Sequence, residues 1–190
     1  MILLFLSSFF HTYSHTKVSR SMLNFGLTEL RLVDPRCDHL SEASQAIAAG
    51  SYEILENAKI YSSLDECTKD LQKVYATTVR PRHMTQMIYT PQKAAETAVF
   101  RVPSKSEDGK GGVDTVSQSG IMFGTERSGL TNEEVAYADS IITIPSFKHF
   151  SSLNLAQAVN IVGYEMWKRA LEVEQSLPPG IHSFYHSFMR

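Results

Sequence analysis

Two charged residues stand in a glycine-bounded turn within the sequence FGTERSGLTNEEV, which begins at Phe123. Glu126 and Arg127 lie between Gly124 and Gly129. Glycine has no Cβ, so the chain can turn there close to a ligand. The turn follows a candidate strand, and open α/β sheets bind ligands beyond the carboxyl ends of their strands. The two charged side chains therefore either solvate the loop or contact a substrate.

Three polar residues, Ser151, Ser152 and Asn154, precede the last long apolar pattern of the chain. This pattern predicts a buried helix, because apolar residues recur at helical spacing and small or apolar residues fill most of the remaining circumference. The recurring residues are Leu155, Val159, Val162 and Met166. The three polar residues either cap the free N–H groups of this helix or take part in a reaction.

A local basic cluster follows the candidate strand YATT, which ends in Thr77 and Thr78. The cluster contains Arg80, Arg82 and His83. Such a group suits phosphate contact, and solvated surface arginines explain it equally well. The Walker A, dinucleotide-binding and GxSxG patterns are all missing from the sequence, which removes those nucleotide and hydrolase classes.

Composition is that of a soluble globular protein of one domain: 190 residues, 43% hydrophobic and 20% charged. The 18 basic and 20 acidic residues nearly balance, so any contact with nucleic acid must be local. Cys37 and Cys67 are far apart and form no CxxC pair, which predicts buried or idle thiols and no metal site. No apolar stretch is long enough to span a membrane, so we expect no membrane partner.

Short apolar runs alternate with helical patterns, which predicts βαβ units and a parallel sheet with helices on both faces. The candidate strands are Leu30–Val33, Ala58–Tyr61, Lys73–Thr78, Gly120–Gly124 and Ser140–Pro145. The candidate helices are KVSRSMLNFG ending at Gly26, SEASQAIAAG ending at Gly50, LDECTKDLQ, PQKAAETAV and TNEEVAYA. Thr131 and Glu134 predict a capping box at the start of the last of these.

The two ends of the chain and one internal segment differ in composition from the rest. No acidic residue precedes Glu29, and Ile2–Leu6 is either a buried first strand, which we favour, or part of an organelle-targeting segment. The protein is accordingly expected in the cytoplasm or in a plastid or mitochondrion. Residues 104–120 are predicted to form a mobile surface loop. We expect a divergent segment over 1–17, one domain over 18–172 and a tail over 173–190.

Together, the motifs resemble the SpoU-type RNA 2′-O-methyltransferases of the SPOUT superfamily. IMFGTERSGLTNEE, DSIITIP and SSLNLAQAVNIVGYE resemble motifs two and three, and RSMLNFGLTELRLVDPR resembles the end of motif one. AAGSYEILENAKIYSSLDE and VYATTVRPR are similar to the TrmJ-like branch, whose members methylate ribose in the tRNA anticodon loop. The resemblance covers Val18–Glu172. It implies a parallel α/β sheet with a C-terminal deep trefoil knot, S-adenosylmethionine as cofactor, RNA and specifically tRNA as partner, and a homodimer without metal.

The resemblance also implies roles for single residues. Ser152 and Asn154 would serve the methyl-transfer site, and Glu126 would support the loop and the substrate. Arg20, the motif-one arginine, would orient ribose and phosphate or abstract a proton. RNA binding would fall to Arg80, Arg82 and Arg127. The cofactor pocket would be lined by Thr77, Thr78, Val79, Gly124, Ile144, Ser152 and Leu153.

Motif one departs from the family pattern, Asn-x-Gly-x-x-Ala-Arg. Ser14 stands at the asparagine position and Thr16 at the glycine position. Loss of that glycine predicts a distorted loop before Arg20. A second hypothesis follows, in which the chain is a catalytically impaired SPOUT-fold subunit that binds RNA or dimerises.

Overall fold

The computed structural model describes residues 2–7, 12–48, 50–80, 85–98 and 118–176. The strands are β1 (Ile2–Ser7), β2 (Leu30–Val33), β3 (Lys59–Tyr61), β4 (Lys73–Thr77), β5 (Met87–Tyr89), β6 (Ser119–Phe123) and β7 (Ser140–Ile142). The helices are α1 (Thr12–Leu23), α2 (Glu42–Ala48), α3 (Tyr52–Glu56), α4 (Leu64–Thr68), α5 (Pro91–Thr97), α6 (Asn132–Ala136) and α7 (Leu155–Ser176).

The strands form one sheet in the order β3-β2-β1-β6-β4-β7-β5. Every neighbouring pair in it runs parallel, which confirms the predicted α/β architecture. Parallel strands carry helices on both faces and are therefore apolar along their whole length. All residues of β2, β6 and β7 are buried accordingly.

Two apolar cores lie on opposite faces of this sheet, because successive side chains of a strand point to opposite sides. Tyr75 and Ile121 face the core that contains the buried residues of α1, α5 and α7. Val74 and Ala76 face the core formed with α4 and α6. The long pair α1 and α7 thus covers one face together with α2, α3 and α5, and α4 and α6 cover part of the other.

The strand predicted over Ile2–Leu6 forms as β1, paired in parallel with both β2 and β6. The five other predicted strands also form, and the capping box of Thr131 and Glu134 is present. Sequence reasoning missed β5, an edge strand with largely exposed residues, and α3, which has only five residues.

Helix α7 corrects one expectation, because it is not buried all round. Val159, Val162 and Met166 are fully or almost fully buried, as expected. Ile161 and Tyr164 are 38% and 51% exposed on another side of the helix. The apolar circumference therefore includes a face that the described part of the chain does not cover.

Some predictions fall on residues outside the described ranges. These are Arg82, His83, nearly all of the 104–120 loop and most of the C-terminal tail. The trefoil knot stays a prediction of the family resemblance.

Helix α1 buries a histidine in its second turn. His15 has no exposed surface, and its Nδ1 lies 3.8 Å from the sulfur of Cys37. Burial, with a smaller effect from nearby His39, lowers the pKa of His15 to about 4. Cys37 and Cys67 are not joined in a disulfide, and Cys67 is buried. His15 is therefore neutral in the folded protein at neutral pH.

This burial predicts a pH-dependent stability. The folded-state pKa of His15 lies below its ordinary value of 6.5. Between these two values, His15 binds a proton in the unfolded chain but not in the folded chain. Stability is full above pH 6.5 and falls as the pH approaches about 4. Between pH 6.5 and about pH 5, His15 alone should remove about 1.5 kcal/mol from the free energy of unfolding.

Urea unfolding at a series of pH values checks this expectation. His15→Asn should flatten the curve by that amount, whereas Cys37→Ser, which keeps the imidazole, should retain the wild-type slope. Equal slopes for wild type and His15→Asn would contradict it.

Candidate active site

Three chain turns meet at the carboxyl edge of the sheet. They follow β4, β6 and β7, which are neighbours in the order β6-β4-β7, so their carboxyl ends lie side by side. One pocket opens between these turns and the start of α7. Its lining includes Thr77, Thr78, Val79, Arg80, Phe123, Gly124, Thr125, Glu126, Arg127, Ser128, Gly129, Ile142, Ile144, Ser151, Ser152, Leu153, Leu155 and Ala158.

Threonine hydroxyls tie the wall of this pocket together. Thr77 Oγ1 donates to the carbonyl of Met122 on β6 at 2.9 Å. On the other side, the N–H of Thr78 donates to the carbonyl of Ile142, and Thr143 Oγ1 donates to the carbonyl of Thr78 at 2.8 Å. The hydroxyls of Thr77 and Thr143 are thus used to link neighbouring strands. The structural role of Thr143 was not predicted. The signal in the sequence was a polar residue within the apolar run IITIP.

The turn after β6 needs both of its glycines. A Cβ on Gly124 would lie 2.1 Å from the carbonyl carbon of Gly129, because the loop folds back on itself there. Gly129 has φ +72°, and its N–H donates to the carbonyl of Thr125 at 2.8 Å. This closed loop presents Glu126 and Arg127 at the pocket with exposed side chains.

Asn154 caps α7. Its Oδ1 accepts from the N–H of Ala156 at 3.0 Å, and its own N–H donates to Gln157 Oε1 at 3.3 Å. Ser152 and Leu153 line the pocket immediately before it. The sequence left open whether the polar residues before α7 cap this helix or take part in a reaction, and Asn154 does cap it. Its amide nitrogen stays available beside the pocket.

Helix α1 reaches this site through one hydrogen bond. Ser14 is buried, and its hydroxyl donates to Glu126 Oε2 at 2.5 Å. The loop distortion expected from Thr16 does not occur, because residues 14–20 are helical and, within the described ranges, Asp34 is the one non-glycine residue with positive φ. A helical position needs no glycine, so Thr16 is accommodated and fully buried.

Two of the predicted site residues within the described ranges, Arg20 and Asn154, are not part of the pocket lining. Arg20 lies on α1 with its side chain exposed. Its neighbour Ser21 donates to the carbonyl of Ala156 at 3.2 Å, which brings this turn of α1 against the first turn of α7. Arg80 and Arg127 do line the pocket.

Within the described ranges, no group of three or more His, Cys, Asp or Glu side chains could hold a metal ion. No helix found there is long and apolar enough to cross a bilayer.

These features define an α/β protein whose pocket lies where parallel sheets bind ligands. The chain belongs to the SpoU rRNA Methylase family, whose family model matches residues 2–164. The resemblance found from the motifs is thus confirmed.

Relatives and solved structures agree with this assignment. An uncharacterized tRNA/rRNA methyltransferase of Haemophilus influenzae is 36% identical over 156 residues, which cover 82% of this chain and 58% of that protein. The tRNA (cytidine/uridine-2′-O-)-methyltransferase TrmJ of Photorhabdus laumondii is 32% identical, over 93% of this chain and 72% of its own length. The crystal structure of TrmJ from Z. mobilis ZM4 superposes with a TM-score of 0.75 at 38% identity, covering 94% of this chain and 72% of that one. The chain spans less than two thirds of the first of these relatives.

The hydrogen bond from Ser14 to Glu126 predicts that Ser14 keeps the loop after β6 ordered. Ser14→Ala should raise hydrogen exchange of the Gly124–Leu130 amides about tenfold, since a hydrogen bond to a charged group contributes about 1.5 kcal/mol or more. Ser14→Asn, which restores an amide donor, should keep exchange near the wild-type rate. Hydrogen–deuterium exchange with mass spectrometry gives the rates, and unchanged protection in Ser14→Ala would show that the bond does not order the loop.

Proposed function

We propose that this chain is an S-adenosylmethionine-dependent methyltransferase that methylates the ribose 2′-hydroxyl of RNA, with tRNA as its substrate. The observation that carries the proposal is the convergence of three separate turns, at Thr78, Gly124 and Leu153, on one pocket in a member of the SpoU family. Relatives that are named as tRNA 2′-O-methyltransferases support the choice of reaction and of RNA.

The pocket suits this cofactor by its chemistry. Phe123, Ile142, Leu155 and Ala158 supply apolar surface for a flat base, and the surrounding turns supply backbone N–H and C=O groups. Backbone groups recognise polar edges with little loss of side-chain freedom. The predicted cofactor residues Thr77, Thr78, Val79, Gly124, Ile144, Ser152 and Leu153 all lie in this lining.

Bound S-adenosylmethionine would supply an electrophilic methyl group, which the ribose 2′-oxygen would attack, so that a C–O bond forms as the C–S bond breaks and S-adenosylhomocysteine leaves. The 2′-hydroxyl is a weak nucleophile, so the chain must align it and draw its proton away. Ser152 lines the pocket, and Asn154 stands between the lining residues Leu153 and Leu155, so that both can hydrogen-bond a ribose that enters it. Glu126, held by Ser14, keeps the opposing loop in place.

Arg20 acts by orientation in this proposal. A guanidinium stays protonated in proteins, which makes it a poor base. Its planar set of donors suits a bidentate contact with phosphate instead. Arg80 and Arg127, at the pocket, would contribute further phosphate contacts.

The catalytically impaired alternative rested on the altered motif one. Its premise was a distorted approach to Arg20, and α1 is a continuous helix over that region. No observation within the described ranges favours the alternative.

The activity is tested by methyl transfer from labelled S-adenosylmethionine to unmodified tRNA. Asn154→Ser keeps an oxygen that can cap α7 but removes the amide, so it should lower turnover tenfold or more while cofactor affinity and melting temperature hold. Asn154→Ala should lose both turnover and about 1 kcal/mol of stability. Calorimetry that detects no cofactor binding by the wild-type protein would defeat the proposal.

We further propose a homodimer in which Arg20 of one protomer serves the pocket of the other. Arg20 is exposed and outside the pocket lining of its own chain. An exposed apolar face lies on the packed pair α1 and α7, at Leu23, Ile161 and Tyr164. A two-fold axis along this face would bury it in both protomers at once.

Subunit mixing tests this arrangement. Arg20→Ala and Asn154→Ala should each be nearly inactive alone. Co-expression with two different tags should recover about a quarter of wild-type activity, because half of the dimers then hold one intact composite site. No recovery in purified heterodimers would place Arg20 in the site of its own chain, and a monomer in sedimentation would reject the dimer itself.

A further inference from the structure

An exposed aromatic turn links β7 to α7 beside the pocket. We call Ser146–Ser151 the aromatic turn. Phe147 and Phe150 are 71% and 80% exposed, and the rings of Phe147 and His149 meet edge to face at 5.4 Å. A single exposed apolar side chain is ordinary on a protein surface. A cluster of exposed rings costs hydrophobic free energy and therefore marks a contact surface.

Two hydrogen bonds hold this turn in shape. The N–H of Phe150 donates to the carbonyl of Phe147 at 2.9 Å, which closes a four-residue turn. Ser146 Oγ donates to the carbonyl of Ser151 at 3.3 Å across its base. The rings are therefore presented by ordered backbone, which lowers the entropy lost when something stacks on them.

Basic residues lie in the turn and in the adjoining pocket. Lys148 and His149 are part of the turn, and no acidic residue occurs in the sequence between Asp139 and Glu165. Arg80 and Arg127 line the pocket together with Ser151 and Ser152, and Glu126 is the acidic residue of that lining. Aromatic rings interleaved with cations match nucleobases joined by phosphates. Charged residues such as lysine are depleted from the core of protein interfaces, which makes a protein partner a poorer match.

The position of the turn specifies what it would hold. Its last residue, Ser151, already lines the pocket, and Ser152 and Leu153 continue the lining. A ribose whose 2′-hydroxyl enters this pocket therefore brings its neighbouring bases close to Phe147 and Phe150.

We infer that the aromatic turn stacks an unpaired nucleobase of single-stranded RNA next to the ribose that is methylated. The inference rests on the proposed function for the reaction and adds the residues that hold a base beside the reacting ribose. Stacking requires a splayed base, so the turn selects loops over duplexes. It would fix which nucleotide of a loop presents its ribose to the pocket, without reading base identity by hydrogen bonds.

An RNA hairpin with 2-aminopurine at successive loop positions reports stacking directly, because the probe's fluorescence is quenched by stacking. We expect quenching at one or two loop positions with the wild-type protein. Phe147→Leu and Phe150→Leu keep apolar bulk without the ring, so they should lose that quenching and weaken hairpin binding about tenfold each. The matched variants Phe147→Trp and Phe150→Trp should retain both. Cofactor affinity by calorimetry should be unchanged in all four.

The outcomes separate this inference from the proposed function. Quenching by a wild-type protein that transfers no methyl group would uphold the aromatic turn and reject the enzyme. Methyl transfer with the same quenching and hairpin affinity in wild-type and leucine variants would uphold the enzyme and overturn the inference. Leucine variants that turn a dimer into a monomer in sedimentation would show a protein contact and also overturn it.

Discussion

The position of β4 between β6 and β7 governs the rest of the structure. Its hydrogen bonds to both neighbours bring their carboxyl ends into line, and the hydroxyls of Thr77 and Thr143 extend these links just beyond the strands. Each such bond contributes about 1 kcal/mol to stability. Their larger effect is geometric, because three loops that are distant in sequence share one pocket only while these strands keep their register. The pocket is thus a property of the sheet more than of any single loop.

Much of this architecture could be predicted because the central strands are buried on both faces and read as plain apolar runs. GIMFG and SIITIP are examples, and each stands before a loop that enters the pocket. Local structure was also predictable where a position favours one residue type, as with Gly124 in the turn after β6 and Thr131 at the start of α6. β5 was missed, although β3, the other edge strand, has the same three-residue length and burial and was predicted.

Other features depend on three-dimensional partners that spacing does not reveal. The role of Ser14 follows from Glu126, which is distant in sequence and becomes its neighbour only when β1 and β6 pair. The sequence predicted a distorted loop at Thr16, because the family motif has glycine at that position. Residue 16 is helical instead, and a helical residue does not need the conformational freedom of glycine. Asn154 shows that a capping residue can keep a donor for another contact, because the carboxamide oxygen makes the cap and the nitrogen does not take part in it.

Strand β1 has a consequence for biosynthesis. It is the apolar segment ILLFLS, and one of its two partners, β6, pairs Ser119 with Ile2. At about 5–20 residues per second of translation, β6 follows β1 by roughly 6–25 s. During that interval a hydrophobic strand has one edge without its final neighbour, which is a template for wrong pairing with other chains. Its other partner, β2, follows sooner in the chain, so the edge that β6 will occupy is the one that stays open until the centre of the sheet can close.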